Sequence, residues 1–401
     1  MAEMYLTATL WFALAVLATV LASHLKISIA LVEICVGAMA SYVLTHLFGP
    51  GILRTDAEWL RFLAGTGSIL LTFLAGTELD SASWKTKAKE SLLVGLIGFF
   101  APFVGCSLVA RFVLSWDPQA SLLAGIALST TSMAVVYSVM LEYGFNRTEF
   151  GKGILGSCFV NDLGTVIALG VIFAPFSYRM VLFVVVSLAA FLALPYITTF
   201  LTSAYGFKTA AIRTKWILFL LFGLGALALW AESEAVLPAY IAGMILANTI
   251  GQDSFFIRRV RTLTVGFLTP LYFLRAGALV SIPALFAAPM IFLVLLAGKV
   301  SSKILGLFPI IKQFRRGNSK ESWYYTLLMS TGLTFGTISA LYGLTHGIIT
   351  KEQYSYLVAV VIGSAVIPTM VANVVFVPKH LLNAPEEGTV SQEKILQEAN
   401  P

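Results

Sequence analysis

The chemistry open to this sequence rests on a few ionisable side chains set inside apolar stretches, where each costs about 2.5–3.5 kcal/mol to insert and so needs a reason. Asp162, in Val160-Asn161-Asp162-Leu163-Gly164, stands near the middle of an apolar run at 152–174. A proton and a metal cation compete for the oxygens of such a carboxylate. The plainer reading is an Asp paired with a Lys or Arg to hold helices together. Asn161 offers a neutral donor and acceptor beside it, useful to an ion or to a neighbouring helix. Lys299 lies deep in another run at 283–309, where an ammonium could tune Asp162 or neutralise helix ends. Lys303, one turn nearer the end of that run, reads as a lysine that snorkels to water. Arg275 fits an external vestibule or an ion pair within the bundle. Glu33 is a further carboxylate inside an apolar run, and Glu78 and Asp80 read as interfacial.

A second anomaly is polar, helix-loosening composition at mid-run. Leu128-Ser129-Thr130-Thr131-Ser132-Met133 puts four hydroxyls in a row, and Ser330-Thr331-Gly332-Leu333-Thr334-Phe335-Gly336-Thr337 mixes hydroxyls with glycine. Such segments let a membrane helix unwind, because side chains can re-satisfy the freed N–H and C=O groups. The half-helix ends then turn their dipoles toward a buried site. Thr130, Thr131, Ser132, Gly332 and Thr334 are therefore candidates to surround an ion held by Asp162, with breaks expected near 129–133 and 331–336. Close helix packing at Gly332-x-x-x-Gly336 is the alternative.

The elements that must position these residues follow from composition. Of 401 residues, 58% are hydrophobic and 11% charged, and the mean hydropathy is +0.88. No water-soluble core could bury so much apolar surface. The runs are continuous rather than alternating, which excludes a membrane β-barrel. A helical span needs about 20 apolar residues. Thirteen candidate spans lie near 5–23, 27–48, 62–79, 90–114, 119–141, 152–174, 179–202, 213–231, 234–250, 262–281, 283–309, 322–344 and 353–377. The fold class is thus an all-α polytopic membrane protein. Residues 1–378 form the transmembrane part and 379–401 a polar tail. Met1-Ala2-Glu3-Met4 lacks the basic start of a cleaved signal, so the first run is expected to be a retained helix. Cys35, Cys106 and Cys158 lie in apolar runs without CxxC spacing and read as small buried residues.

Charge sets the expected orientation. With the N-terminus outside, the inner loops and tail hold eighteen basic residues: Lys26, Lys85, Lys87, Lys89, Arg147, Lys152, Lys208, Arg213, Lys215, Arg258, Arg259, Arg261, Lys312, Arg315, Arg316, Lys320, Lys379 and Lys394. The outer side holds five, Arg54, Arg61, Arg111, Arg179 and Lys351. That asymmetry reads as N-outside, C-inside in a cell membrane, and the net charge of +6 reports orientation, not nucleic-acid binding. Leu128-Ser129-Thr130-Thr131 and Met329-Ser330-Thr331-Gly332 echo each other across spans five and twelve, which run in opposite directions, as an inverted repeat requires.

These features together resemble the monovalent cation:proton antiporter superfamily, the branch holding Kef-type and related sodium or potassium/proton exchangers. The resemblance covers spans two to thirteen. It is carried by Val160-Asn161-Asp162-Leu163, Leu74-Ala75-Gly76-Thr77-Glu78-Leu79-Asp80, the run at 128–132, Pro270-Leu271-Tyr272-Phe273-Leu274-Arg275-Ala276-Gly277, and Lys299. It implies thirteen helices with two crossed broken ones, a mobile core at 62–174 and 262–377, dimerisation spans at 27–48 and 179–250, and a homodimer. It also implies Asp162 as the ion and proton site, with Asn161, Thr130, Thr131 and Ser132 around it and Lys299, Gly332, Thr334, Glu78 and Arg275 in support. Two departures matter. The dipeptide is Asn-Asp where some members carry Asp-Asp, and Gly332-Leu333-Thr334-Phe335-Gly336 replaces a charged element found in others.

The sequence therefore reads as a Na⁺ or K⁺/H⁺ antiporter of the lipid bilayer, electroneutral, with one competing carboxylate and no cofactor. A sodium-coupled organic-anion symporter and a cation channel are the rivals; an isolated carboxylate argues against the continuous polar lining a channel needs. No HExxH, Ser-His or paired-carboxylate motif supports an enzyme, and His24, His46, His346 and His380 all lie near span ends.

Overall fold

The computed structural model describes residues 2–25, 28–49, 51–78, 81–173, 178–205, 211–233, 235–251, 253–279, 282 and 289–381. Lys26, Asp80, Lys208, the first residues of the span expected at 283–309 and most of the 379–401 tail lie outside the described residues. Within the described residues every regular element is a helix. In chain order they are α1 (Ala2–Leu25), α2 (Ile29–Phe48), α3 (Glu58–Thr77), α4 (Ser81–Leu108), α5 (Pro118–Ser129), α6 (Met133–Tyr143), α7 (Glu149–Ile172), α8 (Tyr178–Tyr205), α9 (Ile212–Trp230), α10 (Val236–Leu246), α11 (Ser254–Leu263), α12 (Thr269–Ala278), α13 (Pro289–Phe314), α14 (Ser319–Leu328), α15 (Thr334–Thr345) and α16 (Lys351–Val371).

Among the described residues, ten stretches are long and apolar enough to cross a bilayer, and one of them, Pro118–Tyr143, is α5 and α6 taken through their break. The expected thirteen crossings need three more. The elements that could supply them are the short apolar α10, the α11–α12 run joined by a π-helical segment at Thr264–Leu268, and the α14–α15 pair. Helix starts follow local chemistry. The Asp117 carboxylate accepts from the amides of Gln119 and Ala120, with Pro118 at the first helical position of α5. Thr148 and Asn318 cap α7 and α14 in the same way, and Thr350 and Gln353 form a capping box on α16. Gly144, with φ of 70°, closes α6 in the left-handed conformation that glycine adopts freely.

The helices pack as two bundles. In one, α4 lies along α7, α13 and α5, while α15 lies along α5 and α16. In the other, α2 packs on α12 and α1, α3 on α10 and α12, and α8 on α9. The spans at 62–79 and 262–281, grouped by expectation with the mobile core, thus pack with α10 and α2 instead. The cause is backbone contact through glycine. A Cβ on Gly277 would collide with the Ile34 carbonyl, and one on Gly37 with the Leu274 carbonyl. Gly76 and Gly243 bring α3 and α10 together likewise. Without a hydrophobic force between helices in lipid, such small-residue seams supply the close packing that joins them.

One prediction follows from this seam. Gly277→Val forces α2 and α12 apart and is expected to cost about 1–3 kcal/mol. The readout is the melting temperature of the detergent-purified protein, which should fall. An unchanged value would show that the seam is not tight.

Candidate functional site

Two helices are interrupted where the hydroxyl runs lie. α5 ends at Ser129 because Thr130 turns extended (φ −62°, ψ 151°), and α6 restarts at Met133 behind Ser132, whose Oγ accepts from the Val135 amide. α14 ends at Leu328 and α15 begins at Thr334. The second break therefore opens at Met329, slightly ahead of the expected 331–336. The breaks touch. Thr131 Oγ1 donates to the Met329 carbonyl at 2.8 Å, and the Ser132 amide reaches both the carbonyl and the hydroxyl of Thr331 at 3.2 Å. Thr130 Oγ1 turns back to the Ala127 carbonyl at 3.1 Å, and Asn161 Nδ2 donates to the Ser129 carbonyl at 3.4 Å. The hydroxyls expected as ion ligands thus spend their bonds on the backbone that unwinding freed.

Two lysines of α13, Lys299 and Lys303, are fully buried against this crossing. Lys303 Nζ donates to Thr131 Oγ1 at 2.9 Å, so Lys303 does not snorkel to water as its position along the run suggested. Lys299 Nζ lies where a side chain on Gly332 would be, near Ser364 and Thr130, and has no hydrogen-bond partner among the described residues. The C-terminal ends of α5 and α14 meet here, carrying partial negative charge, and the two lysine amines face them.

The N-terminal ends face the other way. A pocket beside Asp162 is lined by Met133 and Ala134, which open α6, and by Thr334 and Phe335, which open α15. Thr72 of α3 and Tyr240 of α10 close it from the other bundle. Its volume is about 10 Å³, room for one water or one bare ion. Asp162 is 4% exposed. Tyr240 stacks on Phe159 at 4.7 Å, and its buried hydroxyl has no hydrogen-bond partner among the described residues. Tyr272 bonds Thr334 Oγ1 at 2.5 Å, tying α12 to the start of α15.

Of the residues singled out by sequence, Asp162 and Thr334 line this pocket. Asn161, Thr130, Thr131, Ser132, Lys299 and Gly332 build the crossing behind it. Glu78 and Arg275 sit elsewhere. Glu78 Oε1 accepts from Tyr137, Asn146 and Arg261 at 3.0, 2.7 and 2.9 Å, at the end of α3 where α6 finishes. Arg275 donates to the Thr55 carbonyl at 2.7 Å at the opposite end. Thr72, Tyr240 and Phe335 escaped the sequence reading, since nothing distinguishes a wall residue of a mid-membrane pocket from its apolar neighbours.

A model of the family "Sodium/hydrogen exchanger, transmembrane" matches residues 12–377. "Probable Na(+)/H(+) antiporter 3" of Methanocaldococcus jannaschii is 26% identical over 364 residues, 85% of this chain and 90% of that protein. The glutathione-regulated potassium-efflux system protein KefC of Salmonella arizonae is 26% identical over 325 residues, 74% of this chain but only 50% of KefC. Among solved structures, the sodium proton antiporter MjNhaP1 of Methanocaldococcus jannaschii has the same fold, with a TM-score of 0.63 at 15% identity, covering 95% of this chain and 100% of that one. This is a multi-pass membrane protein and a transporter, not an enzyme. The family match spans both broken helices and Asp162, and the chain belongs to the sodium/hydrogen exchanger transmembrane family.

Proposed function

We propose that the protein exchanges a monovalent cation, Na⁺ or K⁺, for a proton by alternating access, with Asp162 as the shared site. The observation that carries this reading is the single-ion pocket holding Asp162 between the two bundles, at the N-terminal ends of both broken helices. A pocket of that size takes one occupant, proton or bare cation, and exclusion of one by the other couples the two fluxes. It is too small for an organic anion, which disfavours a symporter of that class. The bundle of α4–α7 and α13–α16 moves against the other, which would form a homodimer in the cell membrane with the N-terminus outside. The related antiporter 3 and KefC carry names that fit this cargo.

Asp162→Asn is expected to abolish cation-driven proton flux in proteoliposomes, because an amide cannot release a proton. The apparent cation affinity of the wild type should weaken by about tenfold per pH unit once the pH lies below the carboxyl pKa, since each added proton displaces a cation. Proton flux that survives in the purified Asn variant, or an affinity that ignores pH, would remove Asp162 from this role.

With one carboxylate at the site and both lysines holding their charge state through the cycle, one proton leaves for each cation that enters. A membrane potential, worth about 2.3 kcal/mol per charge per 100 mV, then has no net grip on the cycle. Exchange should run at equal rates with and without an imposed potential. A clear acceleration would make one of the α13 lysines a proton carrier and raise the stoichiometry.

A further inference from the structure

On the side where α6 ends, the two bundles enclose a second and larger cavity of about 600 Å³. Along α6 it is lined by Ser138 and Glu142, and the residue one turn before Ser138 on that face is Ala134 of the Asp162 pocket. Residues four apart share a helix face, so one face of α6 leads from this cavity to Asp162. From the other bundle Thr269 of α12 lines it, one turn before the Tyr272 that bonds Thr334. The cavity therefore lies along the same face of α6 as the pocket beside Asp162.

At its wall is Glu33, 3% exposed and without a hydrogen bond or ion pair among the described residues. Glu142 faces the same space, and the two carboxylates interact electrostatically. Glu142 accepts from the Ser28 hydroxyl at 3.0 Å and the Ile29 amide at 2.8 Å through one oxygen, and from the Ala30 amide as well. Ile29 is one turn, about 5.4 Å, below Glu33 on α2, so Glu142 stands one turn from it. Three arginines also line the cavity. Arg261 is paired with Glu78, while Arg147 and Arg258 are exposed at the mouth. A buried carboxylate is costly unless a positive charge joins it. The lining thus holds one buried carboxylate, Glu33, with Glu142 at the exposed rim, and its basic groups are committed or at the rim as well.

We propose that Glu33 and Glu142 form a second monovalent-cation site at the mouth of the route to Asp162, in which a cation exchanges part of its water for carboxylate oxygens drawn from both bundles. This rests on the cation/proton antiport reading and adds a capture step to it. Because Glu33 belongs to one bundle and Glu142 to the other, an ion held there bridges them and is released as they part.

The test uses the full chain, purified in detergent, with Asp162→Asn removing the central site. Sodium or potassium chloride, compared with choline chloride at equal ionic strength, should still raise the melting temperature of this variant, and adding Glu33→Gln should abolish the rise. Glu142→Gln, whose amide oxygen can keep the bonds to Ser28 and Ile29, should weaken the response too and stands in where the Glu33 variant does not fold. In proteoliposomes with Asp162 intact, Glu33→Gln should raise KM for cation on the inner face by about tenfold, more than it lowers kcat. No cation response in Asp162→Asn, a response indifferent to both glutamates, or a response confined to Mg²⁺ or Ca²⁺ would overturn the proposal. Failure of the antiport reading shows separately, as proton flux that persists in Asp162→Asn.

Discussion

In the bilayer an interrupted helix has no water with which to satisfy its loose ends, and this protein interrupts two at the same depth. Its solution is to cross them. The Thr131 hydroxyl and the Ser132 amide supply donors to carbonyls of the other break, and Lys303 completes the chain of bonds through Thr131. The remaining architecture follows from this arrangement. α13 must bring two lysine amines to the side where the half-helices end, and α7 must place Asp162 on the side where they begin. Partial charges of both signs thereby face ionisable side chains on neighbouring helices, within one bundle.

Function then depends on a seam. The crossing is internal to the bundle of α4–α7 and α13–α16, but the pocket beside Asp162 is completed by Thr72 and Tyr240 from the other bundle. That pocket is closed only while the bundles stay in register. The second bundle is knit by carbonyl-to-glycine contacts at Gly37, Gly76, Gly243 and Gly277, which allow little adjustment within it. A stiff wall against a separately packed site is the arrangement a moving-barrier transporter requires.

Much of this was legible in the sequence because lipid punishes polar groups so severely that each one advertises itself. Asp162, the four hydroxyls at 129–132 and Lys299 stood out for that reason, and the spans followed from hydropathy. Lys303 was misread because depth along a run says nothing of direction. Lys303 shares the face of Lys299, four residues away, and its stem reaches back toward the crossing. The bundle division was not legible either. Backbone contact between α2 and α12, or α3 and α10, depends on glycines that look the same in sequence whether they meet a partner or lipid. Tyr240 and Thr72 escaped because an apolar span does not reveal which of its residues lines a buried pocket.

The bonds that join the bundles at the end where α6 finishes carry a further consequence. Tyr137 and Asn146 on one side hold Glu78 on the other, and Glu142 holds the first residues of α2. A hydrogen bond to a charged group is worth about 1.5–3 kcal/mol, so releasing four together removes at least about 6 kcal/mol. Unless the opposite arrangement supplies equivalents, that corresponds to a population bias of roughly 10⁴ toward the conformation seen here. The empty transporter would then rest in the clasped conformation, and whatever opens it must first offset what those four bonds hold.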